Sequence, residues 1–85
     1  MRVLIPSALH SYTRTAWVDA SGDTVGAVLD DLDRQYPGIR FRMIDEQERM
    51  RANMRFFVGG VATFDLARPL GPSDTLHIVQ ALSGG

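Results

Sequence analysis

Apolar and polar positions along the chain change their period several times, and each period predicts an element. Residues 2–5, Arg2-Val3-Leu4-Ile5, form a short apolar run rich in β-branched side chains and predict a strand. Residues 7–13 are polar and predict a turn. Ala16, Val18 and Ala20 then alternate with Trp17 and Asp19, which predicts a second strand with one buried face and an N-terminal hairpin. From residue 21 the period lengthens. Val25, Val28, Leu29, Leu32 and Tyr36 fall on one helical stripe, and Asp30, Asp31, Asp33 and Arg34 lie off it toward water. Ser21, Asp23 and Thr24 are candidate N-caps, and Pro37-Gly38 stops the helix.

Residues 39–53 carry no clear period. Phe41 and Ile44 are expected to anchor a short helical turn, followed by a polar loop over "DEQERMR". Met54, Phe56 and Val58 alternate with Arg55 and Phe57, a third strand. Gly59-Gly60 then separates this run from "VATF", and a two-residue glycine link between apolar runs predicts a hairpin with a primed turn. Leu66 and Leu70 are isolated apolar anchors, "GPSD" is a turn, and residues 75–82 predict the last strand. The order β-β-α-β-β-β, with one amphipathic helix, predicts an α+β domain in which a mixed sheet packs on that helix. The arrangement expected is a β-grasp, with the first and last strands parallel at the centre.

Composition narrows the function. A chain of 85 residues is one domain, 1–85, with 45% apolar and 22% charged residues. It has no cysteine, which removes disulfides and thiol nucleophiles. A net charge of −1 argues against a sequence-independent nucleic-acid binder. No apolar run approaches the ~20 residues of a membrane span, and no signal peptide is recognisable, so a cytoplasmic protein is expected. All nine basic residues are arginine. That is either base composition or a device that spares an activated carbonyl from a neighbouring carrier's amines.

Conventional active sites are missing from the pattern. His10 falls in a loop and His77 on the outward face of the last strand, and neither has metal-ligand spacing. No serine sits in a nucleophile elbow. Gly59-Gly60 lacks the lysine and following helix of a phosphate loop. Arg49, Arg51 and Arg55 are either solvated or a small patch for an acidic surface. An enzyme is therefore not expected, and no catalytic or metal-binding residue is assigned.

The ending "ALSGG" has two readings. One is a frayed terminus. The other is a slim, flexible tail over 83–85 whose two glycines pass a channel too narrow for side chains, with an ionised carboxylate at its tip.

The strings "SGDTVGAVLDDL", "YPGI", "RFFVGG", "ARPLGPSDTLHIV" and "ALSGG" resemble, over nearly the whole chain, the ubiquitin-like sulfur carriers of the ThiS/MoaD family. "SGDT" and "MIDEQERMR" are similar to the branch that delivers sulfur for cysteine biosynthesis. The resemblance implies a protein co-substrate with no bound cofactor. A ubiquitin-activating-type adenylyltransferase would use ATP to adenylate Gly85, and the adenylate would become a thiocarboxylate. A sulfur-accepting synthase, either cysteine-synthase-like or the molybdopterin synthase large subunit, would take the sulfur. Gly84, Ser83 and Leu82 would thread the partners' sites. The alternatives implied are a molybdopterin synthase small subunit, a ubiquitin-like protein modifier and a non-covalent interaction domain. The chain departs from many relatives at Gln80, where they carry proline. If Met54, Phe56, Val58, Leu76 and Ile78 face the helix, then Phe57, His77, Val79 and Trp17 are expected on the open side of the sheet, either exposed as a docking patch or covered by neighbouring loops.

Overall fold

The structure, a computed structural model, describes residues 1–81. The strands are β1 (Arg2–Leu4), β2 (Trp17–Asp19), β3 (Met54–Val58), β4 (Val61–Thr63) and β5 (Leu76–Gln80). They form one mixed sheet in the order β2-β1-β5-β3-β4. β5 runs parallel to β1 and antiparallel to β3, while β1–β2 and β3–β4 are antiparallel pairs. The expected β-grasp is present, with the first and last strands parallel in the middle of the sheet. The expected continuation of the last strand through Leu82 lies outside the described residues.

The main helix is α2 (Val25–Gln35). Its buried residues, Val25, Val28, Leu29 and Leu32, are four of the stripe read from the sequence, and Tyr36 packs against the same core. Facing them are Val3, Val18, Met54, Phe56, Val58, Leu76 and Ile78 from the five-stranded sheet, all at most 8% exposed. Thr24 is the N-cap; its Oγ1 accepts the Ala27 amide at 3.1 Å. The first two helical amides are satisfied from outside the helix: Val25 donates to the Arg68 carbonyl (3.1 Å) and Gly26 to the Leu66 carbonyl (2.8 Å). Residue 26 is glycine because the loop comes this close. A Cβ there would meet the Leu66 oxygen at 3.1 Å. The loop around Leu66 and Leu70 is thus fastened to the helix start, and Leu70 is buried beneath it.

Gly59 and Gly60 form the predicted primed turn, with φ of 57° and 83°. Two other segments differ from expectation. Residues 7–13 are not a simple turn: a 3₁₀ turn (Ser7–Leu9) leads into a single-turn helix α1 (His10–Thr13), and these bury Leu9 and Thr13. The helical turn after Pro37 exists as α3 (Ile39–Met43), but Phe41 does not anchor it. Ile39, Met43 and Ile44 are fully buried, whereas Phe41 is 57% exposed. Positions 39 and 43 share a helical face and position 41 points the other way. Asp33 Oδ1 receives the amides of Gly38 and Arg40, joining the end of α2 to the start of α3.

The expected polar loop after α3 is a tight reversal. Asp45 Oδ1 accepts the amides of Gln47 and Arg49, and Ile44 bridges Met50. Arg40 pairs bidentately with Glu48 and lies 3.0 Å from Asp30. Three carboxylates are held below their ordinary values. Asp45 is lowered chiefly by the Arg49 amide, Glu48 by the Arg40 guanidinium, and Asp31 by the Ser21 amide and then Arg34.

Phe56→Ala is expected to cost about 3–5 kcal/mol in urea unfolding, and Thr24→Ala about 1 kcal/mol. Stability on the acid side should be full above the ordinary carboxylate range and fall as pH drops through the lowered values of Asp31, Asp45 and Glu48. Asp45→Asn should flatten part of that acid limb in a pH series of thermal melts.

Candidate functional site

The face of the sheet turned away from α2 carries one continuous cross-strand row. Trp17 of β2 is opposite Leu4 of β1, Leu4 is beside His77 of β5, His77 faces Phe57 of β3, and Phe57 faces Ala62 of β4. Alternation produces this row. Trp17, Leu4, His77 and Phe57 each lie next in sequence to a buried residue, and strand neighbours point to opposite faces. Two steps along β3 and β5, Val79 pairs with Arg55, and two steps along β1 and β2, Arg2 pairs with Asp19.

Trp17 and His77 meet edge to face across Leu4, with ring centroids 5.6 Å apart and planes at 77°. The Arg2 guanidinium lies 4.9 Å from the centroid of the Trp17 ring. Trp17 is 37% exposed and Val79 41%, while Phe57, His77 and Leu4 are half-buried. The Arg55 head is held by the carbonyls of Ala52 and Met54, each 2.8 Å away. The result is an aromatic and aliphatic strip edged by arginine. Such a surface can dock a partner protein, with apolar burial at its centre and a charged rim.

The four open-face residues expected from the sequence are therefore together on one surface. Leu4, Arg2 and Ala62 complete it and are not marked by the sequence pattern. Leu4 stands between two buried apolar residues, so its run has no polarity contrast to reveal the outward position. The tail residues Leu82, Ser83, Gly84 and Gly85 lie outside the described residues. The last described step before them is firm: the Ala81 amide donates to the Asn53 carbonyl at 2.7 Å. His10 takes a structural position, with Nε2 2.9 Å from the Ile5 carbonyl. Among the described residues, no group of three or more metal-ligating side chains stands together. No helix among them is long and apolar enough to cross a membrane.

No protein-family model matches the chain. Individual proteins do. The sulfur carrier protein CysO of Mycobacterium bovis is 35% identical over 95 aligned positions, covering 98% of this chain and 96% of the relative. The chain belongs to the CysO family of ubiquitin-like sulfur carriers. Solved structures agree in fold. A chain of the Amycolatopsis orientalis BexX/CysO complex superposes with a TM-score of 0.89 at 30% identity, covering 99% of this chain and 98% of that one. Mycobacterium tuberculosis CysO gives 0.88 at 31% identity, covering 95% and 98%. SAMP1 of Haloferax volcanii gives 0.79 at 25% identity, covering 100% and 98%. A CysO protein is thus found in complex with a second protein, BexX, and this chain shares the fold of these relatives over nearly its whole length.

Trp17 is the only tryptophan, so its fluorescence reports on the open face. His77→Ala is expected to raise acrylamide quenching of Trp17 while costing no more than about 1 kcal/mol of stability. Unchanged quenching would show that the two rings do not shield each other in solution.

Proposed function

We propose that this chain carries sulfur on the carboxylate of Gly85. The supporting observation is its kinship, along nearly its full length, with proteins named as sulfur carriers. The chemistry follows from the carboxylate. An ionised carboxylate resists nucleophiles, so a partner adenylyltransferase joins it to AMP with ATP, releasing pyrophosphate. Sulfide, released by a sulfur donor, then attacks the carbonyl, AMP leaves with the bonding pair and the S–H proton passes to water. The product is a thiocarboxylate. A sulfur-accepting synthase, of the cysteine-synthase-like kind suggested by the CysO name, takes the sulfur in the cytoplasm. Glycine at 84 and 85 leaves the carbonyl unhindered, and Ser83 and Leu82 pass through the partners' entrances behind it. The chain itself holds no cofactor in this scheme and supplies no catalytic side chain.

The open face would seat the adenylyltransferase. Phe57, Val79, His77 and Trp17 supply the apolar centre there. Lysine is absent from the chain, so a neighbouring carrier offers no side-chain amine to intercept the activated carbonyl. Likeness to SAMP1 keeps a protein-modifier role as the second reading.

Intact-mass measurement after incubation with the adenylyltransferase of the same organism, ATP and a sulfur donor should show one oxygen exchanged for sulfur. Deleting Gly85 should abolish the exchange. Adducts on other proteins would favour the modifier, and no change of mass would refute both readings. Phe57→Ala should keep the wild-type circular dichroism yet slow adenylation by about tenfold, the effect of losing on the order of 1–2 kcal/mol at an aromatic contact. Unchanged kinetics would remove Phe57 from the interface.

A further inference from the structure

A cleft of about 380 Å³ opens where β5 ends. Asn53 and Gln80 stand on its wall, and the Ala81 amide is bonded to the Asn53 carbonyl at 2.7 Å. Ala8 and Leu9 give it an apolar side, and Phe41, Arg42 and Arg51 form the rest. No acidic residue lines it, although the chain as a whole has a net charge of −1. Acidic groups are gathered in a separate hollow that Phe41 also lines, where Asp33, Asp45, Glu46 and Glu48 stand with one arginine, Arg40, which is paired to Glu48. The cleft is thus lined by cations without carboxylates, and the hollow by more carboxylates than cations.

The cationic side is held in shape. Arg51 Nε donates to the Phe41 carbonyl at 2.7 Å, and its guanidinium carbon lies 4.6 Å from the centroid of the Phe41 ring. Arg42 is exposed and forms no ion pair with a described residue. Phe41, 57% exposed, is therefore an apolar ridge with the Arg51 guanidinium against its ring, in a cleft that Arg42 also lines, while its neighbours Ile39 and Met43 are buried.

We propose that this cleft is a second docking surface, occupied by an acidic segment bearing an apolar side chain at the lip of the channel that receives residues 82–85. The inference rests on the carrier reading above. Residues 82–85 span no more than about 14 Å when fully extended. An enzyme that works on Gly85 must bring its channel mouth up to Ala81, and Ala81 is tethered to the cleft wall. The cleft thus faces every enzyme that uses the tail, whether it activates the carboxylate or accepts the sulfur. Charge complementarity selects an acidic lip, and the Phe41 ridge with Leu9 selects an apolar residue within it. The open face, by contrast, lies around the sheet from this point and is free to differ in use between partners.

The test measures association of the full chain with the adenylyltransferase and with the sulfur-accepting synthase of the same organism, at low and high salt. Arg42→Glu, an exposed substitution, should weaken binding to both by roughly tenfold at low salt, mainly through slower association, with the difference shrinking as salt rises. Arg42→Lys should restore most of it. Arg34→Glu changes net charge equally but lies outside the cleft, and should leave binding near wild type. Phe41→Ser, also exposed, should weaken binding at every salt concentration. If Arg42→Glu leaves either partner unaffected while the wild type binds both, the shared cleft is refuted and the carrier reading stands. If the wild type binds neither enzyme and gains no sulfur, the carrier reading itself fails.

Discussion

The central position of β5 is the constraint on which the rest of the molecule depends. Its backbone pairs with β1 on one side and β3 on the other, and the Ala81 amide just beyond it is bonded as well. A strand bonded along both edges cannot be drawn out without breaking two ladders. Ala81, the last described residue, is therefore held at a fixed point beside the sheet. Under the proposed carrier role this is preorganisation: no binding energy is spent on ordering the domain up to Ala81.

The same strand joins the core to the open face of the sheet. Leu76 and Ile78 are at most 1% exposed under α2, and His77 and Val79 stand on the opposite face. A one-residue slip would exchange these sets, placing a histidine in the core and two aliphatic residues in water. Register is thus fixed by burial, and the open face inherits its geometry from the core. Phe56 and Phe57 repeat the relation on β3, where adjacent aromatic residues serve opposite faces.

Legibility in the sequence depends on the number of periods each element supplies. Strands β3 and β5 alternate over five residues, and α2 runs for three turns, so their buried faces are readable. The Gly59-Gly60 turn is readable because positive φ at both positions demands glycine. Residues 7–13 and 39–43 fold into helical segments of only three to five residues, too short for a stripe to repeat. Leu9 with Thr13 and Ile39 with Met43 share the spacing of four that marks a helical face, and this is the available signal. Aromatic bulk points to Phe41 instead, and bulk alone does not set direction. Of the candidate site, the open-face row is legible from alternation. The cleft beside Ala81 is not, because Leu9, Arg42, Arg51 and Gln80 are brought together only by the tertiary fold.

The exclusive use of arginine also has a structural side. Guanidinium groups donate along a planar fork, and in this chain they fasten backbone that strands and helices leave unpaired. Arg51 holds the Phe41 carbonyl, Arg55 those of Ala52 and Met54, and Arg68 that of Pro69. Arg34 and Arg40 pair with Asp31 and Glu48. These five side chains are held in place by their partners within the chain. Among the described residues, the arginine donors do not include the side chains of Arg2, Arg14, Arg42 and Arg49. Two of the four lie on surfaces that expose an aromatic ring: Arg2 stands over Trp17, and Arg42 lines the cleft that Phe41 also lines. A cation left uncommitted on a surface that also exposes an aromatic ring is a combination that folding alone does not require. The two docking surfaces proposed above draw on these arginines, which the fold itself leaves free of hydrogen bonds to described residues.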